Sequence, residues 1–360
     1  MSNANESAKS KIKLDGLSKK STVLEDAMKL GKYSIRFCFL AEFMIFSQLS
    51  NMYYMVYAGR SIMFQLDRCQ QQDKIFHILL LPGIAPKITA CGHHVYDPSL
   101  DSISVCNHFY QLKENITCEP ELHSEFLSVN IEFGYLCHES KIVKDSISIQ
   151  MIGVILGSIV FGHISDFSGR KKVRTFHTMM ICLIGITIIG ALSVLSTNFI
   201  AFTIFRTLIG FFNGGQIAVL LVFMVENLPK KDRLWINILI TWSPNIALLA
   251  IIAYLCTTWK VLAVVTSLLS IPAIVLLYFV YESPRWLIQQ GRIDEALIIL
   301  KAITRINGTN EISDQMINHV ISNERQLAMK NAEKRRNFYI YHLFYTRELA
   351  IHTIVLSLSL

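Results

Sequence analysis

Two ionisable side chains stand where ionisation is expensive. Glu42 lies within the apolar stretch Tyr33–Tyr57, and Arg206 interrupts the apolar region Thr175–Val225. A charged group in such a stretch pairs with another polar group or faces water, and by default marks the path of a substrate, ion or proton. Glu42 is nine residues into its stretch, about 14 Å at 1.5 Å per residue and so near a bilayer midplane. There it either attracts a cation or proton or serves as an interhelical pair. Arg206 heads the pattern Arg206-x-x-x-Gly210-x-x-x-Gly214-Gly215-Gln216, whose small residues let helices approach closely. Trp242-Ser243-Pro244-Asn245 is the polar, kinked middle of another apolar stretch, and a broken helix at membrane depth is tolerated where it lines a cavity. Asn51, with Tyr53 and Tyr54, either lines the same cavity or belongs to an interfacial aromatic belt. Glu42, Asn51, Arg206, Gln216, Trp242 and Asn245 are therefore the substrate-cavity candidates. Their chemistry is binding rather than bond cleavage. No P-loop, H-E-x-x-H or nucleophile elbow is present, which argues against an enzyme and against a cofactor. His93-His94 is the one adjacent pair among eleven histidines, and with no zinc-like cysteine spacing it implies no metal site.

The elements that position these residues must be membrane helices. Of 360 residues, 52% are hydrophobic and 17% charged, against about 25% charged in ordinary globular proteins, and the mean hydropathy is +0.40. The net charge of +7 sits in connecting segments rather than on one face, so nucleic acid is not an expected partner and the lipid bilayer is. A helix needs about 20 mostly apolar residues to cross. That length is met by Tyr33–Tyr57, Ser146–Ser165, Phe176–Leu195, Phe199–Val225, Leu234–Trp259 and Val261–Tyr281, the third and fourth being parted at Ser196-Thr197-Asn198. The apolar ending Leu349–Leu360 is too short and reads as a seventh helix cut off part way. The expected class is an all-α integral membrane protein: a cytoplasmic segment 1–32, helix 1 at 33–58, an extracellular loop 59–145, helices 2–6 at 146–281, a cytoplasmic link 282–346 and a partial helix 347–360.

Lysine and arginine mark the cytoplasmic side. They crowd the N-terminal segment, the link Arg170–Arg174 and the link Lys230–Arg233, whereas the links between spans three and four and between five and six carry none and only Lys260. The N-terminus is expected to be cytoplasmic, with no cleaved signal peptide. Five of eight cysteines, Cys69, Cys91, Cys106, Cys118 and Cys137, fall in the outer loop, as suits an oxidising compartment. Cys256 is a candidate partner for the odd one, while Cys38 and Cys182 read as buried thiols. Asn115-Ile116-Thr117 is a glycosylation acceptor on that side; Asn307-Gly308-Thr309 matches equally but faces the cytoplasm.

The most informative run is Gly162-His163-Ile164-Ser165-Asp166-Phe167-Ser168-Gly169-Arg170-Lys171-Lys172. Gly169 suits the left-handed backbone of a tight turn, Gly162 a close helix approach, and Asp166 needs a cation or a helix N-terminus. This run resembles the signature loop of the major facilitator superfamily. The resemblance implies a loop that holds two six-helix bundles together on the cytoplasmic side, with Asp166 and Arg170 in a charge network. Glu226 to Arg233, at the exit of span four, and Glu282-Ser283-Pro284-Arg285-Trp286-Leu287, at the exit of span six, fit the same pattern. Pro284 is expected to end a helix and Glu282 to pair with Arg285. The last run narrows the resemblance to sugar porters and the organic cation, organic anion and carnitine transporters. A long cysteine-rich outer loop favours the second branch, as does Glu132-Phe133-Gly134-Tyr135-Leu136-Cys137, similar to that family's segment but one residue longer and with Leu136 for valine. Arg206 resembles the superfamily's span-four arginine, and Gln216 stands where several organic cation transporters carry an aromatic residue. The resemblance thus implies the N-terminal half of a plasma-membrane transporter of small organic ions working by alternating access. The alternatives are a truncated, non-transporting or regulatory half that pairs with a second half-transporter or full-length partner, and a sugar porter.

Overall fold

A computed structural model describes residues 31–59, 87–91, 94–97, 100, 102–115, 120–124, 126–167, 174–229, 232–233, 235–236, 238, 243–289, 292–308, 347 and 350–351. Helix α1 is Lys32–Ala58, and its 27 residues span about 40 Å. The long loop that follows α1 carries β1 (Lys87–Cys91), β2 (His94–Val95), α2 (Ser102–Asn115), β3 (Pro120–His123) and the one-turn α3 (Val129–Glu132). Then follow α4 (Ser140–Phe167), α5 (Arg174–Leu192), α6 (Phe199–Asn227), α7 (Ser243–Leu255), α8 (Trp259–Leu268), α9 (Ser270–Tyr278), α10 (Pro284–Gln289) and α11 (Ile293–Asn307).

Among the described residues, four helical segments are long and apolar enough to cross a membrane: Cys137–Ser165, Phe176–Leu195, Phe199–Asn227 and Trp259–Tyr278. Their outward faces keep large apolar side chains uncovered, for example Ile152, Ile155 and Ile159 down α4, an arrangement suited to lipid rather than water. Helix α1 has the length, but Arg36, Glu42 and a row of Ser and Asn side chains dilute its apolar character. It packs on α6, α7, α8 and α9. Its first half buries Phe37, Leu40 and Met44 against Leu183, Phe223 and Leu277; its second half buries Tyr54 and Ala58 against Phe202, Leu249 and Trp259.

Several expectations need correction. The chain is not all-α, because the loop between α1 and α4 builds a three-stranded antiparallel sheet in the order β2-β1-β3, with Ala90 opposite Val95 and Ile88 opposite Leu122. Ile88, Cys91, Cys106, Phe109, Leu136 and Cys137 form a separate small core for it. Helix α4 starts at Ser140 rather than Ser146, since polar Lys141, Lys144 and Asp145 extend a helix beyond its apolar span at no cost in water. Trp259 opens α8 instead of closing the fifth span, with Thr258 capping the helix by accepting from the Val261 N–H. The sixth span is two helices meeting at Leu269. Pro272 accounts for the break: it has no N–H for the Leu268 carbonyl and its ring crowds that carbonyl. Pro284 does not end a helix, since α9 stops at Tyr278 and Pro284 is the first residue of α10, where its missing N–H is harmless.

Cys106 and Cys137 are disulfide-bonded across a separation of 31 residues, and Cys91 is also disulfide-bonded. Cys69 and Cys118 lie outside the described residues. Cys256 is a free, buried thiol, which removes it as the partner of an outer-loop cysteine. Asn115 closes α2, while the rest of its glycosylation triplet lies outside the described residues.

Candidate functional site

The close packing of α4 on α6 begins with glycine. A Cβ on Gly157 would sit 1.8 Å from the Phe211 carbonyl oxygen, and one on Gly214 would sit 2.0 Å from that of Val154. Gly153 and Gly157 in α4 thus interlock with Gly210 and Gly214 in α6, two G-x-x-x-G rows in direct backbone contact. The row in α4 escaped the sequence reading although its spacing was visible. Gly162, expected to serve such an approach, has no described atom within 4 Å of its would-be Cβ.

That proximity brings α4, α6 and α1 into one polar seam at membrane depth. Arg206 is 1% exposed. Its Nη2 donates to the Asn51 carbonyl and to Gln150 Oε1 at 3.3 Å, and its Nε reaches the same oxygen at 3.4 Å. Gln150 Nε2 in turn donates to the Asn51 carbonyl at 3.3 Å. The guanidinium lies 4.2 Å from the Tyr54 ring centroid, and the Tyr54 hydroxyl donates to the Trp259 carbonyl at 2.9 Å. No carboxylate is among these partners. A buried cation thus rests on neutral acceptors and an aromatic face, which offsets part of its desolvation. Further along α6, Asn213 donates to the Gln48 carbonyl at 3.1 Å and Gln216 to the Met44 carbonyl at 2.8 Å. Across α1, the Ser47 and Ser270 hydroxyls are 2.6 Å apart.

The cavity candidates therefore separate. Arg206, Asn51 and Gln216 are enclosed between helices. Glu42 is half-buried on another face of α1, and the Asn245 side chain hydrogen-bonds to its carboxylate. Asn245 itself is 1% exposed, and Trp242 lies outside the described residues. Among the described candidates, Glu42 alone is half-buried rather than buried.

The seam continues to the outer loop. Glu132 accepts from Trp259 Nε1 at 3.0 Å and pairs with Lys260. The Leu127 N–H donates to the Thr257 carbonyl at 2.9 Å, and the Trp259 N–H donates to the Leu127 carbonyl at 3.0 Å. Phe133 packs its ring against Phe199, Phe202 and Trp259. The Glu132–Cys137 run is thus the clamp between the disulfide-closed loop and the α7–α8 hairpin.

At the opposite end, Glu282 faces Arg292 at 3.9 Å, and Arg292 also binds Glu295 and stacks over Trp286. Burial pushes the Glu282 carboxyl above the ordinary carboxylate range; Arg292 pulls it down, Glu295 pushes it up and His177 pulls it down. Arg285, its expected partner, is half-buried and has an interaction of its own, as does Glu226. Arg233 Nη2 donates to the Leu228 carbonyl at 3.4 Å. Asp166 stands in the last turn of α4, and Gly169, Arg170 and Lys171 lie outside the described residues.

Residues 101–358 match the family described as sugar (and other) transporter. The chain is similar to rat solute carrier family 22 member 7, 31% identical over 57% of this chain and 38% of that protein. It is 31% identical to the mouse organic cation/carnitine transporter 2 over 64% of this chain and 40% of that protein. With a fruit-fly organic cation transporter protein, the identity is 29% over 59% of this chain and 39% of that protein. These matches span about two fifths of the relatives' own length. Among solved structures, the proton:xylose symporter XylE superposes on 84% of this chain and 54% of its own, with 14% identity and a TM-score of 0.48.

Proposed function

The chain belongs to the sugar (and other) transporter family, and from that premise we propose that it forms the N-terminal six-helix half of a transporter of small organic ions. Both ends of the bundle face the cytoplasm of a plasma-membrane protein, and transport proceeds by alternating access around a site near the bilayer midplane. The observation that carries the ionic substrate is Glu42. Arg206 is enclosed by neutral partners, whereas Glu42 keeps a half-buried carboxylate on α1 beside Asn245. An accessible charge at that depth attracts a solute of opposite sign or a proton. The similarity to proteins named for organic cations and carnitine supports the same reading.

Uptake of tetraethylammonium and of an aromatic carboxylate into cells expressing the chain tests it. Saturable uptake that falls at least tenfold in Glu42→Gln, without competition by glucose, is the expected result. Competition by glucose points to a sugar porter. Absence of uptake of either ion, restored by co-expressing a full-length relative, points to a half-transporter that works through a partner.

A further inference from the structure

On the outside of the bundle, a cavity of about 480 Å³ lies between the start of α1 and the end of α9, lined by Arg36, Phe39, Phe43, Leu276, Phe279 and Val280. Lys32, Arg36, Phe39 and Phe43 recur at i, i+4, i+7 and i+11, so one face of α1 presents two cations followed by two aromatic rings. Lys32 and Arg36 are exposed, and neither pairs with a described carboxylate. Phe39 and Phe279 are 58% and 68% exposed, large apolar surfaces with no protein cover among the described residues. Tyr33 stacks on Tyr281 at 6.1 Å and its hydroxyl donates to the Tyr281 carbonyl at 3.3 Å, an aromatic pair of the kind found at a membrane–water boundary. Arg36 sits one turn deeper than Tyr33, and Phe43 a further ~10 Å along the axis.

We propose that this groove binds an anionic glycerophospholipid of the inner leaflet, with Lys32 and Arg36 on its headgroup and the upper acyl chain laid over Phe39, Phe43 and Phe279. The leaflet assignment rests on the orientation proposed above. Charge complementarity selects the occupant: cations at the membrane edge attract anionic headgroups, and basic pockets between helices on the cytoplasmic side hold them. The chain's own residues 1–30 carry six lysines against four acids, the wrong sign to neutralise the pair.

The purified chain in micelles containing equal phosphatidylserine and phosphatidylcholine of the same acyl composition is examined by native mass spectrometry. Retention of phosphatidylserine over phosphatidylcholine is expected. Lys32→Gln and Arg36→Gln each lower phosphatidylserine retention by about fivefold, leave phosphatidylcholine unchanged, and are matched for folding by their thermal midpoints; Arg36→Lys keeps the preference. Equal retention of the two lipids, or unchanged phosphatidylserine in the double Lys32→Gln/Arg36→Gln variant, overturns the proposal, as does a dimer that excludes lipid from the groove. Micelles have no sides, so loss of lipid selectivity leaves the transport reading untouched. Absence of uptake with selectivity intact counts against transport alone.

Discussion

Among the described residues Arg206 has no counter-charge, and this makes its neighbours unequal. Tyr54→Phe keeps the ring beneath the guanidinium and loses only the bond to the Trp259 carbonyl, about 1 kcal/mol. Tyr54→Leu also removes the cation–π contact, worth about 2 kcal/mol when desolvated. Thermal unfolding of the detergent-purified variants should rank Leu clearly below Phe; equal midpoints would mean that the ring contributes nothing. At the end of the bundle away from the disulfide-closed loop, Glu282 behaves oppositely to a carboxylate stabilised by its partner. Its raised folded pKa means that the protonated form is favoured by folding, so the stabilisation is complete below the unfolded value and is lost as pH rises through the folded one. Unfolding midpoints should therefore decline over that acidic window in the wild type relative to Glu282→Gln, and parallel curves would refute it. At this scale the sequence singled out Glu42 and Arg206 as ionisable groups inside apolar stretches. It could not separate them, because both roles satisfy the same rule for charges in lipid and only the packing of Gln150 and Tyr54 decides which one is enclosed.

Among the elements, the α4–α6 pair makes the sharpest demand on sequence. Gly157→Ala would drive a methyl into the Phe211 carbonyl, separating the helices at a cost of about 1–3 kcal/mol and misplacing Gln150 relative to Arg206. Gly162→Ala, five residues away, should be neutral or slightly stabilising, since alanine is the better helix former. Comparison of the folded fraction by size-exclusion chromatography distinguishes the two, and equal loss would contradict the assigned contact. Apolar run length was enough to read α4, α5 and α6 as spans within a few residues. It failed at three places for separate reasons. The ends of α4 are set by helix continuation in water, the break in α8–α9 by Pro272 inside an unbroken apolar run, and the loop sheet by short strands whose alternation is too weak to stand out. Pairing of Cys106 with Cys137 likewise depends on α2 being laid against the 3-10 turn Cys137–Glu139, which spacing does not encode.

For the molecule as a whole, one chain of contacts runs from the outer loop through Glu132, Trp259 and Tyr54 to Arg206 and on to α1 and α4. The loop is therefore tied to the bundle interior, so the two should unfold together rather than in sequence. The orientation proposed for the bundle rests on where basic residues collect, a property of the sequence that the packing of the helices does not duplicate. It is also the premise on which inward and outward faces, the Glu42 pathway and the lipid groove are assigned. The most direct test places a cysteine at Ser168 between α4 and α5, with Cys38, Cys182 and Cys256 replaced by serine, and reads its labelling against the same background retaining Ser168, because the five loop cysteines remain. Intact cells are then exposed to a membrane-impermeant maleimide. Labelling above that background only after permeabilisation is expected; such labelling in intact cells would place that segment outside and contradict the orientation.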